Sequence, residues 1–142
     1  MIKAKKSLGQ NFLIDKNIIK KIVNTTNVKD KIILEIGPGT GNLTSEILTK
    51  SPRKIYVIEK DKSLVSYLKK NFEKKLDIIN EDVLNFNEKS LTSEKIIVFG
   101  NLPYNISTEI LCKWILNLKD KNYWFESLIL MFQKEVADRI IS

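Results

Sequence analysis

The sequence IILEIGPGTG occupies residues 32–41 and joins a run of apolar residues to a turn with three glycines. A short apolar run bounded by turn residues is typical of a buried strand. Glycine allows a tight turn because it adopts backbone angles that other residues rarely reach. Leu43, Ile47 and Leu48 follow with helical spacing, so this part of the chain predicts a buried strand, a tight turn and a helix.

Apolar runs like the first one recur along the chain, at residues 55–58, 76–79, 96–99 and 128–132. The segments between several of them have helical spacing, as does a short amphipathic segment before the first strand. Strands that alternate with helices form right-handed βαβ units and a parallel sheet covered on both faces. The sequence therefore predicts a Rossmann-like α/β fold with a mostly parallel sheet, helices on both faces and about five strands.

The amino-acid composition limits which partners and which kinds of active site the chain can have. Lys and Arg total 24 against 17 for Asp and Glu, a net charge of +7, which suits a polyanionic partner such as nucleic acid. The alternative is a solvated surface in a lysine-rich composition. The chain has no histidine and one cysteine, Cys112, which we expect to be buried in a helix. Histidine-dependent nucleophilic catalysis and most zinc sites are therefore excluded within this chain, and we expect no metal centre.

No apolar stretch approaches the 18 residues that a membrane-spanning helix needs. The start of the chain is charged and lacks the apolar run of a signal peptide. We therefore expect a cytoplasmic protein with no membrane partner.

Four polar or glycine positions follow successive predicted strands, namely Gly37, Glu59, Asp82 and Asn101. Ligands of open α/β sheets bind beyond the carboxyl ends of the strands, so these positions predict a ligand site. The spacing G-x-G-x-G departs from the dinucleotide pattern G-x-G-x-x-G. It resembles the first motif of the S-adenosylmethionine-binding methyltransferases.

The two acids suit an adenosine. A carboxylate at Glu59 can accept both ribose hydroxyls, and one at Asp82 can accept a hydrogen bond from the adenine amine. The alternatives are a solvated loop acid at Glu59 and an ordinary turn at Asp82.

The sequence GNLPYN at residues 100–105 suits methylation of an adenine amine. The amine nitrogen is a poor nucleophile, and two acceptors aimed at its hydrogens would localise its lone pair. The side-chain oxygen of Asn101 and the backbone carbonyl of Leu102 can be those acceptors. Pro103 stiffens the turn, and Tyr104 offers a face on which an extruded base can stack. The alternative is a simple turn between a strand and a helix.

Four motifs occur in order: SLGQNFL at residues 7–13, EIGPG at 35–39, GNLPYNIS at 100–107 and QKEV at 133–136. Together they resemble the ribosomal RNA adenine dimethyltransferase family, specifically its small-subunit branch. The resemblance implies the class I S-adenosylmethionine-dependent methyltransferase fold. It also implies N6-dimethylation of two adjacent adenosines in small-subunit ribosomal RNA, coupled to ribosome biogenesis, with a 30S assembly intermediate as partner.

The resemblance further implies which residues act. Residues 101–104 would hold the target base, and the contacts to S-adenosylmethionine would come from Asn11, Leu13, Gly37, Glu59, Asp82 and Asn101. Residues 1–15 form a basic arm whose Lys3, Lys5 and Lys6 would touch RNA. Family members have two further strands and a C-terminal helical domain. We therefore expect residues 1–142 to be an incomplete catalytic domain without that helical domain.

Three other functions remain open. The large-subunit branch of the same family, whose members confer macrolide resistance, is disfavoured by Leu102 and by the sequence LGQ at residues 8–10. A non-catalytic RNA-binding assembly factor on the same fold is disfavoured by the intact glycine turn and the NLPY sequence. A nicotinamide-binding dehydrogenase is disfavoured by the glycine spacing.

Overall fold

A computed structural model of the chain describes residues 13–102, 106–116 and 123–132. The strands are β1 Ile32–Ile36, β2 Lys54–Ile58, β3 Asp77–Ile79, β4 Ile96–Asn101 and β5 Phe125–Met131. The helices are α1 Lys16–Val23, α2 Asn42–Leu48, α3 Lys62–Phe72 and α4 Ser107–Leu116. Short 3-10 turns lie at Glu73–Lys75, Val83–Asn85 and Glu88–Ser90. The basic arm up to residue 12 and the QKEV motif at residues 133–136 lie outside the described residues.

The five strands form one parallel sheet in the order β3-β2-β1-β4-β5, which confirms the predicted fold. The fifth strand begins earlier than its apolar residues predict. Ile96 N donates to Trp124 O at 3.2 Å, so pairing with β4 already starts ahead of Phe125. The polar residues Glu126 and Ser127 interrupt the apolar sequence, so the apolar run begins only at Leu128 and does not indicate the start of the strand.

β1 lies at the centre of the sheet, and all five of its residues are buried. On one face Ile33 packs with residues of α1 and α2, including Val23 and Ile47. On the other face Leu34 packs with Trp114 of α4 and its neighbours. Full burial of one such aliphatic side chain stabilises the folded state by about 1.5–3 kcal/mol, so β1 contributes strongly to both layers of the core.

Cys112 is exposed on α4, so the expectation of a buried cysteine is wrong. Ile110 and Trp114, four residues apart, face the sheet and are fully buried. Residue 112 lies about half a helical turn from both of them and therefore faces away from the core.

The chain order places a switch point between β1 and β4. From β1 the chain builds β2 and β3 on one side, and then returns to build β4 and β5 on the other. The connections that follow β1 and β4 therefore leave the rim in opposite directions and open a crevice, which is where ligands of such sheets bind.

Among the described residues, no helix has the length and apolar character needed to cross a membrane.

The first three helices begin in two ways. Asp15 and Asp61 cap α1 and α3, since each side chain accepts hydrogen bonds from backbone N–H groups of the first turn. At the start of α2, Gly41 has φ +89° and makes no side-chain cap. A Cβ at Gly41 would collide with the ring of Phe72 on α3, so this glycine allows the Phe72 ring to pack against the start of α2.

We predict that Gly41→Ala lowers the free energy of unfolding by about 2 kcal/mol, because alanine is strained at this φ and would collide with Phe72. Urea unfolding measures the loss. In a Phe72→Leu background the same substitution should cost less, since only the backbone strain remains. Equal costs in the two backgrounds would contradict the proposed contact.

Candidate functional site

The parallel register brings three of the predicted site residues side by side at the rim. Ile36 pairs with Ile58 on one side and with Gly100 on the other, so the next positions are Gly37, Glu59 and Asn101. Gly37 N donates to Ile58 O at 3.1 Å, which extends the ladder past the end of β1. Asn101 is the last residue of β4 rather than the first residue after it.

The glycine turn has the backbone shape that its sequence requires. Gly37, Gly39 and Gly41 have φ values of +64°, +60° and +89°, a region that side-chain-bearing residues rarely adopt. Gly41 N donates to Pro38 O at 2.9 Å and closes the turn. At Gly37 and Gly39 the absence of a Cβ lets a ligand approach the backbone closely, whereas the corresponding side of Gly41 faces Phe72.

The end of the basic arm reaches this turn. Asn42 Nδ2, at the start of α2, donates to Leu13 O at 3.0 Å, and the Leu13 side chain packs against the core. The structure therefore places Leu13 beside the glycine turn. Asn11 lies outside the described residues.

Glu59 is 7% exposed and links three segments of the rim. Its Oε2 accepts a hydrogen bond from Asp61 N at 3.0 Å, at the start of α3. Burial raises the pKa of Glu59, and backbone N–H groups of Asp61, Gly39 and Lys60 oppose that shift. Because Gly39 belongs to the glycine turn, the Glu59 carboxylate lies between that turn and the start of α3.

Asn80 is a site residue that sequence reasoning missed. Its Nδ2 donates to the backbone oxygens of Glu59 and Lys60, at 2.9 and 3.1 Å. These bonds fix the backbone that carries the Glu59 carboxylate. Its position directly after β3 was a usable signal, since Asn80 belongs to the same strand end as Asp82.

Glu35 is the second residue that sequence reasoning missed, although its motif was recognised. It lies in β1, is only 1% exposed, and accepts a hydrogen bond from Thr44 Oγ1 of α2. Burial raises the pKa of Glu35 to about 7, the Thr44 hydroxyl lowers it, and repulsion from Glu59 raises it further. The available signal was an acid inside a strand whose other residues are all apolar.

Asp82 lies three residues beyond β3 and has a structural task already. Its Oδ1 accepts from Leu84 N at 3.0 Å and caps the 3-10 turn Val83–Asn85. Its Oδ2 lies 3.4 Å from Lys60 Nζ. The structure thus supports the turn interpretation of Asp82 and places its carboxylate beside the segment that follows Glu59.

The end of β4 is closely packed. A Cβ at Gly100 would lie 2.9 Å from Leu102 Cδ2 and 3.2 Å from Leu130 Cδ2, so no larger residue fits without movement. The Leu102 side chain is 5% exposed and belongs to the core. Pro103 and Tyr104 lie outside the described residues.

Within the parts of the chain that the structure describes, no three His, Cys, Asp or Glu residues form a group suited to a metal ion.

The raised pKa of Glu35 predicts a pH-dependent stability. The folded protein holds a proton on Glu35 up to about pH 7, whereas an unfolded glutamate loses it near 4.5. The stabilisation from Glu35 is therefore complete below pH 4.5 and is lost as the pH rises to 7. Relative to Glu35→Gln, which stays neutral, the wild type should lose up to about 3 kcal/mol between pH 4.5 and 8.

Urea unfolding of both proteins across this pH range measures the difference. Glu109→Gln, at an exposed position of α4, is the matched control and should follow the wild-type curve. Parallel curves for the wild type and Glu35→Gln would show that Glu35 does not titrate in this window.

Comparison with known proteins identifies the family. A sequence model described as "Ribosomal RNA adenine dimethylase" matches residues 1–142. A ribosomal RNA small subunit methyltransferase A from Pelagibacter ubique is 61% identical over 99% of this chain and 53% of its own length. The protein of that name from Wolbachia pipientis of Culex pipiens is 48% identical, with the same two coverages. The chain spans about half the length of the curated relatives it matches.

Solved structures agree with the sequence matches. A dimethyladenosine transferase from Plasmodium falciparum superposes with a TM-score of 0.75 and 31% identity, over 93% of this chain and 46% of that one. The 23S rRNA methyltransferase ErmE superposes with a TM-score of 0.73 and 28% identity, over 89% of this chain and 50% of that one. The family model, which matches the whole chain, shows that the chain belongs to the ribosomal RNA adenine dimethylase family, and the curated relatives named above are small subunit methyltransferases A.

Proposed function

We propose that this chain provides the cofactor and target-base sites of an enzyme that dimethylates N6 of two adjacent adenosines in small-subunit ribosomal RNA. The observation that carries the proposal is the placement of Gly37 and Asn101 at the switch point of the sheet, with Glu59 beside Gly37 on the neighbouring strand end. The printed names of the relatives, small subunit methyltransferase A and dimethyladenosine transferase, support this substrate class.

The residues present fit S-adenosylmethionine. The glycine turn leaves its backbone open to close approach, and Glu59 supplies a carboxylate for the two ribose hydroxyls. Asp82 would accept a hydrogen bond from the adenine amine, and Leu13 with Asn11 would close over the site. When bound, this cofactor supplies an electrophilic methyl group on a sulfonium.

The target amine would be held at the end of β4. The Asn101 side-chain oxygen and the Leu102 backbone carbonyl would accept its two hydrogens and direct its lone pair outward. Because the Leu102 side chain is buried in the core, its contribution to the base must come from the backbone. Asn101 is neutral, so it orients the amine and does not act as a general base. Pro103 and Tyr104 would shape the turn and stack on the extruded base.

The RNA would meet a basic surface. The net charge of +7 favours a polyanion, and Lys3, Lys5 and Lys6 of the arm would contribute to phosphate contacts. A 30S assembly intermediate is the proposed partner. Since the curated relatives from Pelagibacter ubique and Wolbachia pipientis are bacterial and the proposed substrate is ribosomal RNA, the proposed place of action is the cytoplasm.

Methylation of large-subunit ribosomal RNA is the second candidate. The ErmE structure, described as a 23S rRNA methyltransferase, superposes on 89% of this chain. Methyl transfer to small-subunit and large-subunit RNA, compared in one assay with the complete protein, separates the two. Incorporation into small-subunit RNA alone is the expected result.

We predict that Glu59→Ala weakens S-adenosylmethionine binding by about 1.5–3 kcal/mol, the range for hydrogen bonds to a charged group. Calorimetry with the complete protein measures the change. Glu59→Gln keeps an oxygen that can accept from Asp61 N, so it should preserve the rim and lose less affinity. Unchanged affinity in a folded Glu59→Ala protein would remove Glu59 from the cofactor site.

We predict that Asn101→Ala lowers the single-turnover rate of methyl transfer by about 10²–10³-fold, because one preorganised acceptor at the reacting amine is lost. Asn101→Asp keeps an acceptor, so its rate should change little and stay nearly flat above about pH 6.5, beyond the ordinary Asp range. Faster transfer by Asn101→Asp would instead indicate proton abstraction. Wild-type rates from Asn101→Ala would refute the proposed role, and no transfer by the wild type would favour a non-catalytic assembly factor.

A further inference from the structure

A largely buried ion pair lies behind the rim, between α4 and the segment that follows β3. Lys113 Nζ is 2.8 Å from Glu88 Oε1, and the two side chains are 20% and 6% exposed. The same Nζ donates to the backbone oxygens of Val83, at 2.6 Å, and Phe86. An ammonium group has three N–H donors, so Glu88, Val83 and Phe86 use all of them.

These contacts hold the segment that carries Asp82. Val83 follows Asp82 directly, and its carbonyl also accepts from Phe86 N at 3.3 Å. Asp82 in turn caps the same turn through Leu84 N, and its carbonyl accepts from Asn85 N at 3.0 Å. The orientation of the Asp82 carboxylate therefore depends on a turn that wraps the Lys113 ammonium.

The other side of the pair is anchored in the core. Trp114 Nε1 donates to the same Glu88 oxygen at 2.8 Å, and the Trp114 ring is fully buried, 5.7 Å from that of Trp124. α4 begins soon after residues 101–104, the proposed target-base segment. Glu88 and Lys113 thus join the segment that carries Asp82 to α4, the helix that follows the proposed target-base residues 101–104.

A buried ion pair is seldom a large source of stability, because desolvation offsets much of its attraction. Its geometric effect is clearer here, since three acceptors from one short segment surround a single ammonium. Lys89 of the same segment, by contrast, is an exposed side chain. The contrast provides a matched control for charge and position.

We propose that Lys113 is a positioning residue that orients Asp82 toward the adenine amine of the cofactor and couples this end of the site to α4. The inference rests on the proposed function, which places Asp82 at the adenine. Its distinguishing consequence is selective: loss of Lys113 should reduce recognition of the adenine amine more than binding of the rest of the ligand.

The test compares the affinities of S-adenosylhomocysteine and S-inosylhomocysteine, which lacks the amine, by calorimetry with the complete protein. The wild type should prefer the adenosine compound by at least about tenfold, because one hydrogen bond to a charged group contributes a factor of about 10–100 and the inosine carbonyl would face the Asp82 carboxylate. Asp82→Ala should abolish the preference, Lys113→Met should reduce it to about twofold, and Lys89→Met should retain it. Equal weakening of both ligands by Lys113→Met would indicate a merely structural role and overturn the inference.

A second variant covers the case in which Lys113→Met fails to fold. Glu88→Gln keeps the side-chain shape and an acceptor for Trp114, so it should fold and show a smaller loss of preference together with faster amide exchange at Leu84 and Phe86. The inference is overturned if Glu88→Gln, and Lys113→Met where it folds, keep the wild-type preference while Asp82→Ala loses it. That result leaves the proposed function intact. A wild type that binds neither ligand, or shows no preference, overturns the inference together with the assignment of Asp82.

Discussion

The pairing of β1 with β2 on one side and β4 on the other determines the geometry of the whole rim. It places Gly37 between Glu59 and Asn101, and it fixes Glu35 on the face that meets α2. A shift of one residue in this register would turn Glu35 and the apolar side chains of β1 to the opposite faces. Because β1 is buried on both sides, such a shift would disrupt both layers of the core, so the register is strongly specified.

The charges of the chain are divided between its surface and its site. The net charge is +7, yet the rim holds the acids Glu35, Glu59, Asp61 and Asp82. Burial raises the pKa values of Glu35 and Glu59. Repulsion from Glu59 adds to the shift at Glu35, and repulsion from Asp61 adds to the shift at Glu59. A cationic ligand such as the proposed sulfonium would offset that repulsion, while the basic exterior would attract RNA.

The fold was largely predictable because a parallel sheet buried on both faces produces long apolar runs separated by helical patterns. The rim positions of Gly37 and Glu59 followed from the same rule. Contacts between distant side chains were not predictable. Nothing in the spacing of Glu88 and Lys113 indicates that they meet. The hydrogen bond of the buried Glu35 likewise depends on the position of Thr44 on α2. The roles of Asn11, Pro103 and Tyr104 stay predictions, since these residues lie outside the described part of the chain.

The strand order also has a consequence for the order of assembly. Ile33 pairs with Ile55 on one side and with Ile97 on the other, so the second contact closes a much longer loop. Closing a longer loop costs more chain entropy, and contacts of lower sequence separation form sooner in general. The glycine turn, Glu59 and Asp82 all belong to the more local unit β1-β2-β3, whereas Asn101 arrives with β4. Gly37, Glu59 and Asp82, which we propose for the cofactor, thus belong to contacts of lower sequence separation than Asn101, which we propose for the target base, and docking of β4 brings the two sets together.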